Sequence, residues 1–331
     1  MATPGGSLPE PPLAADDADG RNGPVGVFVG LATLDLVLGV ERLPGPDEKI
    51  VATSQLVAAG GPAANAAVAF AWAGGLPRLL TSLGRHPLAR AAALDLAEHG
   101  VALSDADPER AGPPPVATIL VTEATGSRAV VSRTDQDAVA ASIGDAELAV
   151  LLADARVVLA DGHHAGLAEP VLRAARSAGI PIVLDAGSWR PSFATLIPLV
   201  DIIVASAVFR LPGTAPETDA VLADLLARGP AFVARTAGAR PIRWRDDAGA
   251  AGNVDVAAVG IVDTLGAGDV LHGVMAAVIA ARPRGGRLDS ELLVGALVEG
   301  ARVASTSCAH RGTRAWLTAG IPRPADPDRL R

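Results

Sequence analysis

Asp263-Thr264-Leu265-Gly266-Ala267-Gly268-Asp269 is the stretch that decides how this chain is read. A strand-like run, Val254 to Val262, leads into it, and a long apolar helical run, Val270 to Ala281, leads out of it. Two glycines at the mouth of a helix let backbone N–H groups approach an anion. The helix N-terminus adds about half a positive charge at the same place. A carboxylate there, Asp269, would repel phosphate and is a poor choice for anion binding alone. It makes sense as a base that takes the proton of a hydroxyl about to attack a phosphoryl group. An Asp at a helix start ordinarily does no more than complement the dipole. The Gly-Ala-Gly run ahead of this one favours the chemical reading, in which Gly266, Ala267, Gly268 and the Asp269 N–H form an anion hole beside a base.

A second stretch lies some two hundred residues upstream: Ala59-Gly60-Gly61-Pro62-Ala63-Ala64-Asn65-Ala66-Ala67, with Gly74 and Gly84 after it. Gly61 permits close backbone approach. Asn65, one helical turn later, can both donate to and accept from a hydroxyl. Asp35 closes the buried-strand candidate Gly26 to Leu34, at the carboxyl end of the sheet, where open α/β folds bind ligands.

The two stretches, in this order, resemble the two signatures of the ribokinase-like (PfkB) carbohydrate kinases. The resemblance runs from about Val25 to Leu317. It implies a three-layer α/β/α sandwich with a mainly parallel central sheet and a small β lid. It also implies ATP with Mg2+ as the phosphoryl donor and a small sugar as the acceptor. By resemblance to ketohexokinase and fructokinase, the acceptor is a ketose or furanose phosphorylated on a primary hydroxyl. Asp35, Gly61 and Asn65 then hold the sugar, with Lys49 reaching in from the lid. Glu123 to Arg128 resembles a ketohexokinase turn, which implies that Arg128 reaches the ATP phosphates; Arg133 lines the same lid. Arg235-Thr236-Ala237-Gly238 resembles the strand-end turn that touches the phosphates, through Thr236 and Gly238. Ala304 and Cys308 match positions lining the adenine pocket.

The chain also departs from the family pattern. The Asn-x-x-Glu motif that organises magnesium through water is absent, and Ser206 and Phe209 stand in its place, a loss shared by ketohexokinase-like members. Pro62 resembles the 6-deoxy-6-sulfofructose kinase branch. A sulfonate, however, needs paired positive charge in a closed site, and His163 is a weak substitute for it. The pair His163-His164 has no accompanying spacing for a protein-bound metal, and no metal ligands are assigned.

The wider chain fits this reading. Apolar residues make up 50% of the 331, but aromatics only 3%, with no Tyr, so Ala, Val and Leu must build the core. From Asp145 onwards helices and strands alternate, which implies parallel strands with helices on both faces. Irregular β pieces at about 37–57 and 113–133 interrupt that rhythm and are assigned to the lid, within a single kinase domain spanning 25–331. Lid strands with bare edges and one apolar face predict a homodimer joined through the lid. The net charge of −8, without basic runs, excludes nucleic acid as a natural partner. No apolar run is long and uncharged enough to span a bilayer. The single Cys308 allows no intrachain disulfide and suits the cytoplasm. Residues 1–24 read as a disordered tail with no signal-peptide pattern.

Three rival readings differ in the features they need. A nucleoside kinase would want an aromatic platform for a base, and the lid is poor in aromatics. A catalytically silent sugar-binding regulator would not need Asp269 behind a glycine loop. A dinucleotide-binding protein would need a Gly-rich turn after the first strand, where Leu31-Ala32-Thr33-Leu34-Asp35 stands instead.

Overall fold

Runs such as VGVFV, ARVVLA, IVLDA and IIVA are apolar at nearly every position. Such runs suit strands covered on both faces, and the computed structural model places them at the centre of a nine-stranded sheet. It describes residues 23–122, 127–133 and 142–324. The tail expected over 1–24, apart from its last two residues, and residues 123–126 of the turn before Arg128 lie outside them.

The first half of the chain runs β1 (Val25–Val29), β2 (Thr33–Val40), β3 (Ser54–Gly60), α1 (Pro62–Trp72), β4 (Leu76–Thr81), α2 (Pro87–Glu98), β5 (Ala102–Asp105), β6 (Val116–Thr122) and β7 (Arg128–Ser132). Then come α3 (Asp145–Leu152), β8 (Ala155–Ala160), α4 (Ala165–Ser177), β9 (Ile182–Ala186), α5 (Phe193–Leu196), β10 (Ile202–Ala205) and α6 (Thr218–Leu226). The last part is β11 (Phe232–Ala237), β12 (Arg240–Asp246), β13 (Ala251–Val254), α7 (Ala267–Ala281) and α8 (Ser290–Ser307).

The large sheet has the order β13-β12-β11-β10-β9-β8-β1-β4-β5. It is parallel from β11 to β5, with β12 and β13 added antiparallel at one edge. Alternation along each strand feeds two cores. Phe28, Leu79 and Leu159 face α1, α2, α7 and α8, whereas Val27, Leu80 and Val158 face α4, α5 and α6. The chain leaves β1 towards β4 and β5 on one side and later returns as β8 on the other. The crevice at the carboxyl ends of β1 and β8 is therefore the switch point where open sheets bind ligands.

A second, four-stranded sheet, β3-β2-β6-β7, stands beside that crevice. Val37 and Ile119 on its inner face pack with Leu56 and with Leu265 from the loop before α7.

Two sequence expectations need correction. Gly26 to Leu34 is not one strand. It breaks at Gly30, where a side chain would collide with Asp161, and the chain restarts as β2, so Asp35 lies within the small sheet. Nor is Val254 to Val262 a strand, because β13 ends at Val254. The N–H groups of Val262 and Asp263 donate to the carbonyl of Cys308 at the end of α8, so a helix terminus, not a neighbouring strand, takes their hydrogen bonds. Strands β5, β12 and β13 were not anticipated. β12 carries three arginines, Arg240, Arg243 and Arg245, as suits a strand near an open edge.

Helices α1 and α7 both start at the carboxyl edge of the sheet and pack side by side. α1 is nearly all alanine around Asn65. Gly273 lies so close that a Cβ there would sit 2.2 Å from the Ala66 carbonyl oxygen and 2.7 Å from the Ala69 Cβ. We expect Gly273→Ala to destabilise the protein by roughly 1–3 kcal/mol through overpacking. The gain of about 1 kcal/mol from better helix propensity is too small to offset a clash with backbone. Thermal or urea unfolding checks this, and a melting temperature at or above wild type contradicts the close-packed interface.

Candidate active site

Strand ends and helix starts bring carboxylates together at the crevice. Asp161 follows β8 and is buried. Its Oδ2 accepts from the N–H groups of Leu31 (2.9 Å) and Ala63 (3.1 Å), and its Oδ1 from that of His163 (2.9 Å). It thereby ties the chain leaving β1 to the start of α1. Asp185, at the end of β9, is buried against His272 of α7, whose Nδ1 lies 3.4 Å from its Oδ2. Burial raises the Asp185 carboxyl above the usual range. His272 and His163 work against that shift, and Asp161 adds to it.

Asp269 lies in the first turn of α7. Its Oδ2 accepts a 2.8 Å hydrogen bond from Asn65 Nδ2. Asn65 Oδ1 in turn accepts from Arg314 Nη1 at 3.0 Å. The Arg314 Nη2 donates to the Ala59 carbonyl (2.8 Å) and to Asp95 Oδ2 of α2 (2.9 Å). A guanidinium has no acceptor, so Arg314 forces the Asn65 oxygen towards itself and the amide nitrogen towards Asp269.

Asp35 is buried in β2 with Oδ1 accepting from Thr33 Oγ1 at 2.5 Å. Burial pushes its carboxyl up, while Thr33 and the charge of Arg314 pull it down. The β3 backbone runs so close that a Cβ at Gly60 would overlap the Asp35 carboxylate. Gly61 (φ +94°) precedes α1, where a Cβ would strike the Leu31 carbonyl. Asp35, Gly61, Asn65 and Asp269 therefore share one region. Lys49 is exposed on the loop between β2 and β3, and no hydrogen bond or ion pair joins it to them.

The remaining expected residues flank the loop before α7. Arg128 Nη1 donates to Thr264 Oγ1 at 2.9 Å, tying the small sheet to that loop. Asp263 shapes it, since its Oδ1 accepts from Leu265 N and its Oδ2 from Gly312 N, each at 2.9 Å. Gly266, in the left-handed region at φ +74°, occupies the N-cap position of α7 without a side chain to cap it, and Ala267 and Gly268 begin the helix. Thr236 Oγ1 lies 3.4 Å from the Ala205 carbonyl, and Gly238 turns β11 into β12 with φ +64°. Ala304 is buried in the core. Cys308 is half-buried, donates to the Ala304 carbonyl, and has its thiol pushed up by burial.

Arg235 turns inward, with Nη1 and Nη2 donating to the carbonyls of Pro216 (2.8 Å) and Ala207 (2.6 Å). Phe209 is core, edge-on to Phe193 and tilted against Trp189. Sequence reasoning missed Arg314, Asp95, Asp161 and the use of Asp185. For Asp161 and Asp185 a signal was present, a carboxylate at the end of an apolar strand, but Arg314 and Asp95 carry none.

Residues 26–319 match the model of the pfkB family carbohydrate kinases. The chain belongs to this family. Among solved structures, this carbohydrate kinase is similar to a candidate ribokinase from Agrobacterium tumefaciens, with 27% identity, TM-score 0.77, and 89% of this chain and 94% of that one covered. It shares the fold of Xylella fastidiosa fructokinase with bound ATP (21% identity, TM-score 0.66, 87% and 93% covered). It also shares that of a candidate ribokinase II from E. coli in complex with ATP and Mg2+ (16%, 0.69, 90% and 96%).

In this kinase the Asp269 carboxyl lies well above the ordinary carboxylate range. Burial is the main cause. The Asp185 charge adds to it, the Asn65 hydrogen bond opposes it, and Asp161 and Asp35 add further. The folded protein therefore holds this proton to a higher pH than the unfolded chain. The group's contribution to stability is present at low pH and lost as pH rises from the unfolded pKa through the folded one. Asp269→Asn should thus keep the fold, with a neutral-pH melting temperature at or above wild type. Asn65→Ala removes the one group opposing the rise, so the acid limb of kcat/KM should move to higher pH. An unmoved limb in the pH–rate profile would show that Asn65 does not tune Asp269.

Proposed function

We propose that this kinase transfers the γ-phosphoryl group of ATP to a primary hydroxyl of a small ketose or furanose, with Asp269 as general base. The observation that carries this reading is the Asn65–Asp269 hydrogen bond at the uncapped start of α7. It sets a proton acceptor of raised pKa against first-turn N–H groups that have no partner within their own helix. A sugar hydroxyl between them would lose its proton to Asp269. The N–H groups of Gly268 and Asp269 would meet the charge that develops on the transferred group. Asp35 and Asn65 would orient the sugar.

The start of α7 fits a phosphate chain. Gly266 leaves the helix uncapped, and nothing lies within 4 Å of where a Gly268 Cβ would be. ATP is bound in the Xylella fastidiosa and E. coli structures described above, which supports it as the donor here. We assign Arg128, Thr236 and Gly238 to its phosphates and Ala304 with Cys308 to the adenine side. Magnesium, when bound with the nucleotide, neutralises phosphate charge. It is a hard cation that needs only one or two carboxylates besides phosphate and water. Among the described residues no group of His, Cys, Asp and Glu is arranged to hold a metal by itself. Asp263 is committed to backbone N–H groups.

We take the small sheet to be a lid that excludes water from the transfer and to be the dimer surface. Its outward row Val57–Leu36–Thr118–Val131 leaves Val57 and Val131 exposed at 48% and 75%. No described helix is long and apolar enough to cross a membrane, and we place the enzyme in the cytoplasm.

A coupled ADP-release screen over hexoses, pentoses, nucleosides and sulfosugars tests the substrate class. Ketoses should lead, with fructose preferred to 6-deoxy-6-sulfofructose, because Lys49 is exposed and His163 is buried beside the Asp161 and Asp185 carboxylates. On the best substrate Asp269→Asn should lose about 10² to 10⁴ in rate. Retention of a third of wild-type turnover is less than 1 kcal/mol of barrier and would remove Asp269 from the role of base. Asp35→Ala should weaken sugar binding far more than ATP binding in calorimetry, and equal weakening of both would count against its placement. Light scattering should give a dimeric mass at micromolar concentration; a monomer sinks the lid interface.

A further inference from the structure

At the end of α7 remote from Asp269, Arg156 at the start of β8 and Arg282 at the C-cap of α7 face one another across an open cavity of about 550 Å³. Each holds the other's backbone. Arg156 Nη2 donates to the Arg282 carbonyl, and Arg282 Nη1 donates to the carbonyls of Arg156 (3.2 Å) and Ile279 (2.7 Å). Neither pairs with a carboxylate among the described residues. Arg284 is close by, 3.5 Å from Asp154. Both Arg156 and Arg282 are held below the ordinary arginine range, first by burial and then by neighbouring positive charge. The side-chain hydrogen bonds of Arg282 both leave from Nη1, and its Nε is shielded from water with no partner. The edge formed by Nε and Nη2, with which arginine grips an oxyanion side-on, is therefore unused.

A guanidinium does not shed its proton to relieve such a position. Two like charges without a counter-ion, on a rigid frame of strand start and helix end, are relieved by an anion. A carboxylate brings one negative charge and suits one fork, whereas a phosphate brings close to two and suits both. The cavity also has room for an organic group against Pro24, Ala73, Pro283 and Pro324. We propose that this cavity binds the phosphate group of a small metabolite, with Arg156 and Arg282 as its donors, in a site separate from the phosphoryl-transfer centre. The 15 residues of α7 separate the two by roughly 20 Å.

The test is calorimetry on the full chain with three probes: inorganic phosphate, glycerol 3-phosphate and fructose 6-phosphate. Each is titrated into wild type, Arg156→Gln and Arg282→Lys in the presence of saturating ADP, which occupies the anion hole. Wild type should bind at least one probe, and both variants should bind it at least tenfold more weakly. Tighter binding of the esters identifies a phosphorylated metabolite as the occupant, and equal binding identifies free phosphate. Arg282→Lys keeps the charge and loses the fork, so it separates loss of recognition from loss of folding, which is followed by melting temperature. Binding that is absent in wild type, or unchanged in both variants, overturns the proposal.

Discussion

The contact between α1 and α7 is the constraint on which the rest of the site depends. Both helices begin at the carboxyl edge of the sheet, and their small side chains let the backbones meet at Gly273 and Ala66. Asp269 stands one turn before Gly273 and Asn65 immediately precedes Ala66, so the separation of the axes sets their 2.8 Å hydrogen bond. A side chain at Gly273 would open the interface where it is tightest and pull donor from acceptor. The composition follows from the same demand. A core with few aromatics and many alanines packs through close backbone approach, and the site uses that closeness.

Electrostatics then determines what the closeness can do. Asp35, Asp161, Asp185 and Asp269 all act on the potential at the start of α7, and Asp269 lies where burial and its neighbours' charges add. Such a group is costly to ionise, and for that reason it is basic enough to take a hydroxyl proton. The other carboxylates have local compensation. Asp161 accepts three backbone N–H groups, Asp185 faces His272, and Asp35 has Thr33 and the field of Arg314. Asp269 has one amide. The asymmetry between well-satisfied and poorly satisfied carboxylates is why we propose Asp269 as the reactive one of the four.

Local chemistry was legible in the sequence, and long-range chemistry was not. The glycines before Asp269 announce a helix start because they must; their conformation is written within a few residues. The buried strands are legible because burial on both faces demands unbroken Val, Leu and Ile. The break in β1 is not, since it depends on Asp161, more than a hundred residues away, taking the Leu31 N–H. The false strand before Asp263 had the right composition but no neighbour to pair with. Arg314 gave no signal at all. It lies beyond α8 in a segment with no periodicity, and its partners, Asp95, Ala59 and Asn65, come from three separate parts of the chain.

Arg314 also explains why a neutral residue on α1 can serve Asp269, the carboxylate we propose as the base. An amide presents a donor and an acceptor that exchange places by a flip, so an unrestrained Asn65 could turn its oxygen towards Asp269. Two oxygens would then face each other in a desolvated site, an arrangement costlier than a missing hydrogen bond. Arg314 excludes it by offering only donors, and Asp95 with the Ala59 carbonyl holds Arg314 in turn. The order of the chain of contacts is therefore fixed from the rim inwards: Asp95 sets the guanidinium, the guanidinium sets the amide, and the amide presents its N–H to Asp269. A Lys in place of Arg314 would keep the charge but lose the planar fork that reaches Asn65, Ala59 and Asp95 at once. The geometry of the fork, more than its charge, orients the amide that faces Asp269, the base we propose.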